Sequence, residues 1–293
     1  MTLDQLRVFV AVAERLHVTQ AALALNISQS AASAAIQALE SRAGVALFDR
    51  VGRHIELTAA GEVLLPEARA VLRRLAQAEQ ALSELEGLQR GHLSLWASQT
   101  VASYWLPPVM HRFRLAYPKV TLSLAIGNTA QVAQATADGD ADLGFVEGAV
   151  EDKLLASVPV ATDQLVLVVA AAHPWAGRPS LDPAALPEVD WVLRERGSGT
   201  RQMFEAAVLA YGVEPALLRI VMELPSNEAV AAAVEAGAGA TVISRLVAAA
   251  GLARGTLAAL PLRFPERRFS ALHHGDRRRS AAEAAFLAII RAW

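Results

Sequence analysis

The sequence contains no cysteine, which excludes several kinds of site, and it has few aromatic residues. Without cysteine there is no disulfide framework, no thiolate metal site, no cysteine nucleophile and no thiol redox switch. Aromatic residues make up 5% of the 293 residues, whereas hydrophobic residues make up 54%, largely Ala and Leu, which favour helix. That hydrophobic fraction is far above what a disordered chain carries, and the length suggests two or three domains.

The sequence also lacks a large net charge and a long hydrophobic run. The formal net charge is -2, so nucleic acid would have to be bound through a local patch. The longest apolar run, Leu165–Ala172, is shorter than the roughly 20 residues that span a bilayer and is typical of a buried strand. The N-terminal segment carries Asp4 and no basic start, which argues against a signal peptide. We therefore expect a soluble, cytoplasmic protein with no membrane contact.

The first 44 residues have the pattern of a helix-turn-helix. One apolar face at helical spacing predicts the first helix, and it consists of Leu3, Leu6, Phe9, Val10 and Ala13. Thr19 is expected to cap a short second helix over residues 20–25, with Asn26 left-handed in the turn that follows. Ser28 is expected to cap a third helix over residues 29–42. Two helices joined by a tight turn, the second with a polar face, describe a helix-turn-helix.

A basic hairpin and a long helix follow. Apolar segments at 45–48 and 55–57 flank a glycine-containing tip, which predicts a two-stranded wing. Thr58 is expected to cap a helix over about 59–89, in which apolar residues step alternately by four and three. These apolar residues are Leu64, Ala68, Val71, Leu75, Ala78, Leu82 and Leu85. The seam predicts that the helix pairs with its copy in a dimer; an amphipathic helix packed on its own chain is the alternative. A hinge is expected at 87–91.

From His92 onward, strand patterns alternate with helix patterns. The predicted strands are 93–97, 120–126, 142–146, 163–172, 191–193, 220–224 and 241–243. The predicted helices are 101–117, 129–139, 201–211, 227–236 and 280–293. This alternation implies parallel sheets with helices on both faces.

Four strings in the first 61 residues form one specific pattern. They are residues 21–33 (AALALNISQSAAS), Leu39-Glu40, Gly44-Val45-x-Leu47-Phe48-x-Arg50 and Leu57-Thr58-x-Ala60-Gly61. Together they resemble the winged helix-turn-helix of the LysR-type transcriptional regulators. Residues 191–201 (WVLRERGSGTR) and 225–230 (PSNEAV) resemble the subgroup that controls carbon fixation and sulfur-oxyanion metabolism. The family usually has Pro where Ser30 stands and often Arg where Ala34 stands, so this chain is expected to differ in DNA affinity or base preference.

The resemblance implies a fold and a division into domains. The expected fold is α/β, with an all-α winged helix-turn-helix N-terminal domain, a long linker helix and a two-lobed effector domain like the periplasmic binding proteins. The expected parts are a DNA-binding domain at 1–61, a dimerisation linker helix and hinge at 62–91, and an effector-binding domain at 92–293. Within the last part, lobe I would comprise 92–162 plus 265–293, and lobe II 163–264.

The candidate DNA contacts lie on the third helix, on the wing and at the start of the second helix. A recognition helix reads base edges in the major groove with residues of its first turns. The candidates for base contacts are Gln29, Ser30, Ser33 and Gln37. The candidates for phosphate contacts are Thr19, Gln20, Arg50 and Arg53. The alternative for the serines is that they only cap helices or face solvent. Because the contact set is small and the chain slightly acidic, a dimer on a pseudo-palindromic DNA operator is expected.

The candidate effector site lies where strands lead into helices with hydroxyl residues at their starts. Free N–H groups at such helix starts bind anions without a formal counter-charge. The candidates are Ser98, Thr100, Asn128, Gly148, Ser198, Gly199, Thr200 and Ser226. They would clamp a small anionic effector in the crevice between the lobes. The alternative is that each hydroxyl only caps its own helix.

The sequence therefore predicts a transcriptional regulator that binds double-stranded DNA under the control of a small anion. We expect a homodimer or homotetramer that contacts RNA polymerase, is not an enzyme and uses no cofactor or metal. His273-His274 with Asp276 is not expected to bind a metal, because neighbouring residues of a strand point to opposite faces. A solute-binding protein or enzyme on the same bilobal fold is the alternative, but it leaves residues 1–61 unexplained. A purely architectural DNA-binding protein leaves the anion crevice unexplained.

Overall fold

The computed structural model describes residues 1–51, 54–83 and 91–292. The chain divides into two compact units, residues 1–85 and 86–293. The first unit contains helices α1 (Leu3–Arg15), α2 (Val18–Ala24), α3 (Gln29–Ala43) and α4 (Ala59–Ser83), and strands β1 (Phe48–Val51) and β2 (His54–Leu57). The two strands pair antiparallel as the predicted wing. No helix in the described part of the chain is both long and apolar enough to cross a membrane.

The helix boundaries of the first unit follow from local capping, with one correction. Ser28 caps α3 as predicted, because its hydroxyl accepts a hydrogen bond from the Ala31 N–H at 3.1 Å. Asn26 is left-handed, with φ of 54°, also as predicted. The cap of α2 is His17 rather than Thr19: the imidazole Nδ1 accepts from the Gln20 N–H at 3.4 Å. An imidazole nitrogen can accept a hydrogen bond just as a hydroxyl does, so α2 begins two residues earlier than predicted.

The long helix α4 packs its first turns on its own unit. Ala68 is buried in the same cluster as Phe9 and Leu39, with Leu64 packed against it. Farther along, Val71 is 47% exposed. Of the predicted seam, the first two positions thus pack within the chain and Val71 faces solvent. Leu82 and Leu85 lie outside the residues whose side chains are described.

The second unit consists of two five-stranded sheets. Its strands are β3 (Gly91–Ser98), β4 (Val120–Gly127), β5 (Leu143–Glu147), β6 (Leu155–Asp163), β7 (Leu165–Ala170), β8 (Asp190–Arg194), β9 (Arg219–Leu224), β10 (Ala240–Ser244), β11 (Leu257–Leu260) and β12 (Arg267–His274). Its helices are a π-helical turn (Val101–Trp105), α5 (Leu106–Ala116), α6 (Thr129–Asp138), α7 (Gly199–Ala210), α8 (Asn227–Glu235), α9 (Arg245–Arg254) and α10 (Ala281–Arg291), with short 3-10 turns at Pro183–Glu188 and Pro215–Leu217. The sheet of lobe I has the order β4-β3-β5-β12-β6, and that of lobe II the order β11-β7-β10-β8-β9.

Both sheets are mixed, which corrects the prediction of parallel sheets. In lobe I, β3 is parallel to β4 and β5, whereas β12 is antiparallel to β5 and β6. In lobe II, β8 is parallel to β9 and β10, whereas β7 is antiparallel to β10 and β11. The antiparallel strands β7 and β12 are the first strands that the chain forms after it crosses from one lobe to the other. The chain passes from β6 to β7 through Gln164 and returns between β11 and β12.

Candidate functional site

The third helix presents the polar face expected of a recognition helix. Its apolar residues Ala32, Ile36 and Leu39 are buried, which fixes the rotation of the helix about its axis. The predicted base-contacting residues Gln29, Ser30 and Gln37 are exposed, and Ser33 is half-buried. The Ser30 hydroxyl lies 2.9 Å from that of Ser28. The face is therefore accessible to a ligand outside the unit, although Ser28 itself is used as a cap.

The predicted phosphate contacts are exposed where the structure describes them. Thr19 and Gln20 lie exposed in the first turn of α2, and Arg50 is exposed on β1. Arg53 lies outside the described residues. Ala34, where the family often has arginine, is exposed on α3, so the position offers a methyl group in place of a cation.

In the second unit, a buried guanidinium joins the two lobes. The Arg267 side chain is fully buried at the start of β12. Its Nη1 donates to Thr200 Oγ1 at 3.0 Å, and its Nη2 donates to Thr100 Oγ1 at 3.5 Å. Thr100 follows β3 in lobe I, and Thr200 lies in the first turn of α7 in lobe II. One cation therefore holds two of the predicted hydroxyls from opposite sides of the crevice.

The charge of Arg267 is balanced inside the protein. Its Nε donates to Asp163 Oδ2 at 2.6 Å, and Asp163 Oδ1 accepts from Ser244 Oγ at 3.0 Å. The carboxylate of Glu147 lies 3.8 Å from Arg267 Nη1. A buried ion needs such partners because transfer from water costs several kcal/mol. The junction of the lobes thus contains a buried cluster of one cation and two carboxylates.

A second set of predicted residues surrounds the end of β5. The Ser98 hydroxyl donates to the Glu147 carboxylate, and the Thr129 hydroxyl donates to the Glu147 carbonyl at 2.9 Å. A Cβ atom on Gly199 would lie 2.0 Å from that same carbonyl. The start of α7 can therefore approach β5 only because residue 199 is glycine. Gly148, the residue after β5, has φ of +93°, and a Cβ atom on it would lie 3.3 Å from Gly199 Cα.

The structure separates hydroxyls that cap helices from those that do not. Ser226 caps α8 by accepting from the Ala229 N–H at 3.2 Å, and Asn128 caps α6 by accepting from the Gln131 N–H at 3.0 Å. Thr100 and Ser198 make no side-chain capping bond at the starts of their helices. Ser198 is also buried, at 2% exposed. Simple capping therefore accounts for Ser226 and Asn128 but not for Thr100 or Ser198.

Hydrogen bonds also link the crevice walls at Asn128 and Asn227. Asn128 Nδ2 donates to Glu195 Oε1 at 3.3 Å, and Asn227 Nδ2 donates to Thr100 Oγ1 at 3.0 Å. Burial alone would raise the pKa of Glu195, but the hydrogen bonds and positive charge of Arg194 outweigh burial and lower it. Arg194 is itself buried and also donates to Asn227 Oδ1 at 2.8 Å.

Sequence reasoning missed four residues of this site. They are Glu147, Asp163, Asn227 and Arg267. Glu147 and Asp163 lie at the ends of strands and Asn227 is the first residue of a helix, at the same kind of junction as the hydroxyl candidates. The signal missed was charge at a strand boundary: Asp163 ends β6 and Arg267 begins β12. Among the described residues, no group of three His, Asp or Glu side chains is arranged to hold a metal ion.

Comparison with known proteins gives two family matches that together span most of the chain. The model for the bacterial regulatory helix-turn-helix protein, lysR family, matches residues 3–62. The model for the LysR substrate binding domain matches residues 86–293.

Curated relatives match along nearly their full length. The chain is 37% identical over 289 residues to the uncharacterized HTH-type transcriptional regulator YeiE of Escherichia coli K12, covering 98% of this chain and 96% of that protein. It is 35% identical over 288 residues to the RuBisCO operon transcriptional regulator of Acidithiobacillus ferrooxidans, covering 98% and 92%. The likeness to a RuBisCO regulator confirms the carbon-fixation part of the predicted resemblance.

Two solved structures are similar as well. The full-length CbnR in complex with its target DNA superimposes with a TM-score of 0.75 at 25% identity, covering 100% of this chain and 99% of that one. The regulatory domain of CcmR from Synechocystis PCC6803, in complex with 2-PG, has a TM-score of 0.64 at 28% identity, covering 69% and 97%. These matches confirm the predicted fold, an N-terminal helix-turn-helix followed by a two-sheet α/β domain.

Proposed function

Because the chain belongs to the LysR family of DNA-binding transcriptional regulators, we propose that its DNA binding is controlled by a small anion held between the two lobes. The single observation that carries this proposal is Arg267, which donates to Thr100 from lobe I and to Thr200 from lobe II. Arg267 holds these two hydroxyls where the lobes meet, beside the start of α7, so a ligand bound there would contact both lobes. Because Asp163 and Glu147 already balance the guanidinium, the attraction for an anion would come from the free N–H groups at the start of α7. The relative CcmR carries the small anion 2-PG in its regulatory domain, which supports this class of ligand.

The effector would contact the start of α7 together with the hydroxyls around it. The N-terminus of a helix carries free N–H groups and about half a positive charge. Ser198, Gly199 and Thr200 form that start, and Ser98 and Thr100 face them. Gly148 packs against Gly199, whose missing side chain leaves the backbone open to close approach. Asn128 and Ser226 would act at the margin of the site, since both also cap helices.

For DNA, we propose that α3 lies in the major groove. Gln29, Ser30, Ser33 and Gln37 would contact bases, and Gln pairs well with adenine. The proposed phosphate contacts are Thr19, Gln20, Arg50 and Arg53. Phosphate contacts fix the register and make the affinity dependent on salt.

We further propose a role for each segment of the chain and an oligomeric state. Residues 1–61 bind DNA, 62–91 form the dimerisation helix and hinge, and 92–293 bind the effector. The active species is a cytoplasmic homodimer or homotetramer that acts on a pseudo-palindromic operator and contacts RNA polymerase. It has no catalytic activity of its own. Effector binding changes the spacing of the DNA-binding domains, with a coupling free energy of about 1–3 kcal/mol.

Two measurements test the proposed function. A gel shift of the purified chain on its own upstream promoter fragment, against random duplex of equal length at several salt concentrations, tests specific DNA binding. A thermal-shift screen of sulfite, sulfate, phosphorylated sugars and carboxylates tests for the effector, because a ligand selective for the folded state raises the melting temperature. Equal retention of both duplexes, or no anion that raises the melting temperature, would contradict the proposal.

A further inference from the structure

Three side chains meet at the mouth of the crevice and join the lobes there. Glu228 lies in the first turn of α8 in lobe II. Its Oε2 accepts from Gln99 Nε2 at 3.0 Å, and its Oε1 accepts from the Tyr104 hydroxyl at 3.2 Å. Gln99 and Tyr104 both belong to the segment that follows β3 in lobe I. One carboxylate of lobe II therefore accepts two hydrogen bonds from lobe I.

Gln99 makes a second bond across the crevice, to the backbone of α8. Its Oε1 accepts from the Asn227 N–H at 2.7 Å. Asn227 is the first residue of α8, so this N–H is one of the groups that a helix leaves unpaired at its start. Such groups bind anions. The amide oxygen of Gln99 thus occupies an N–H group of the kind that can bind an anion.

The geometry around Glu228 favours a persistent contact. Ser226 Oγ donates to Glu228 Oε2 at 3.1 Å from the same helix start, which orients the carboxylate toward lobe I. Partial burial raises the pKa of Tyr104, and the neighbouring Glu228 raises it further, so the phenol stays protonated and remains a donor. Hydrogen bonds to an ionised acceptor are stronger than those between neutral groups. All three side chains are partly exposed to solvent, which weakens each hydrogen bond.

We propose that Gln99, Tyr104 and Glu228 form a latch that holds the two lobes together, and that Gln99 competes with the effector for the start of α8. The latch itself is independent of the proposed effector. The competition between Gln99 and the effector rests on the proposed function. A ligand that must displace Gln99 binds with an affinity reduced by the fraction of molecules in which the latch is open. The latch therefore sets the anion concentration at which the regulator responds.

The opening of the lobes is measurable because the chain contains no cysteine. Spin labels attached to Ala284→Cys on α10 of lobe I and Ala249→Cys on α9 of lobe II would report the distance between the lobes. Both alanines are exposed. Mixing labelled chain with an excess of unlabelled chain confines the signal to distances within one protomer. The measurement is made on the full-length protein without DNA and without added anion.

The test compares Gln99→Ala and Glu228→Ala with Gln134→Ala. Gln134 is a matched control because its Nε2 also donates to a carboxylate, Asp138 Oδ1 at 2.9 Å, but within α6 alone. The latch variants should gain a population at longer distance, with the open-to-closed ratio raised about tenfold, equal to about 1.4 kcal/mol. Tyr104→Phe, which removes one hydroxyl, should give a smaller increase. Distance distributions of Gln99→Ala and Glu228→Ala that match the control would overturn the latch.

Inorganic sulfate serves as the probe for competition. Its effect on the melting temperature is compared between Gln99→Ala and Gln134→Ala. A larger rise in Gln99→Ala, at equal sulfate, is the expected result. An equal rise, or none in either variant, overturns the competition between Gln99 and an anion but leaves the latch to the distance measurement. Equal retention of the operator and the random duplex by the wild-type chain in the gel shift would instead contradict the proposed function.

Discussion

Asp163 and Arg267 are direct register partners on β6 and β12, at the two points where the chain passes between the lobes. The ion pair therefore ties together the exit from lobe I and the return to it. Because Arg267 also donates to Thr100 and Thr200, the same side chain connects the crossover to both walls of the crevice. One buried side chain therefore bonds to groups of both lobes and to the strand that leads from one lobe to the other.

Replacing Arg267 by alanine should strongly destabilise the second unit. The change leaves Asp163 and Glu147 buried without their cation, and breaking a buried pair in this way costs about 3–5 kcal/mol. Urea unfolding measures the loss. Arg219→Ala is the matched control, because Arg219 pairs with Asp190 while 61% exposed, and an exposed pair contributes about 0–1 kcal/mol. An equal loss of unfolding free energy in the two variants would show that the buried ion pairs of Arg267 contribute no more than an exposed pair.

Gly199→Ala tests the close approach of α7 to β5. The added methyl group would lie 2.0 Å from the Glu147 carbonyl oxygen, so α7 must move away from the strand. Overpacking of this kind costs about 1–3 kcal/mol. Gly275→Ala is the control, since its Cβ would meet nothing nearer than 3.4 Å. The melting temperature should fall in Gly199→Ala and stay close to the wild-type value in Gly275→Ala; an unchanged Gly199→Ala protein would argue against the contact.

The acid stability of the protein should depend on Glu195. Its pKa is lower in the folded protein than its usual value of 4.5. The ionised carboxylate therefore contributes stability above that usual value, and the contribution is lost as the pH falls through the folded pKa. Urea unfolding of wild type and Glu195→Gln between neutral pH and pH 3 checks this. The stability gap between the two proteins should narrow below about pH 4.5; a constant gap would mean that Glu195 does not titrate as described.

Gln29→Ala should weaken binding to the operator while leaving binding to random duplex unchanged. A bidentate contact between a side chain and a base contributes about 1–3 kcal/mol of discrimination, whereas phosphate contacts act on any sequence. Gel shifts on both duplexes at several salt concentrations separate the two effects. Gln5→Ala, on α1, is the control for loss of a polar side chain elsewhere in the unit. Equal weakening on operator and random duplex would remove Gln29 from the base-reading set.

Much of the fold was predictable because its signals are local. The cap at Ser28 and the left-handed Asn26 follow from the residues themselves and are confirmed. The strand β6 was missed because it contains Pro159 and alternates only weakly, as an edge strand does. The antiparallel pairing of β7 and β12 was missed because alternation of strand and helix indicates parallel pairing but says nothing of a strand that crosses between sheets.

The candidate site was predictable only in part. Hydroxyls at helix starts are visible in the sequence, and Thr100 and Thr200 do meet at one group. That group, Arg267, follows Thr200 by 67 residues, and nothing local marks it as buried. Asp163 and Glu147 are likewise ordinary acidic residues until the topology places them beside Arg267. Long-range pairing of charges depends on the strand order, which the pattern of the sequence does not contain.

The most direct test of the account is the response of operator binding to the anion found in the thermal-shift screen, measured for wild type, Thr100→Ala and Ser198→Ala. The account predicts that all three proteins bind the operator equally well without anion, and that only the wild type changes its affinity or footprint when the anion is added. Loss of operator binding in the variants with normal anion affinity, or an undiminished response in both, would contradict it.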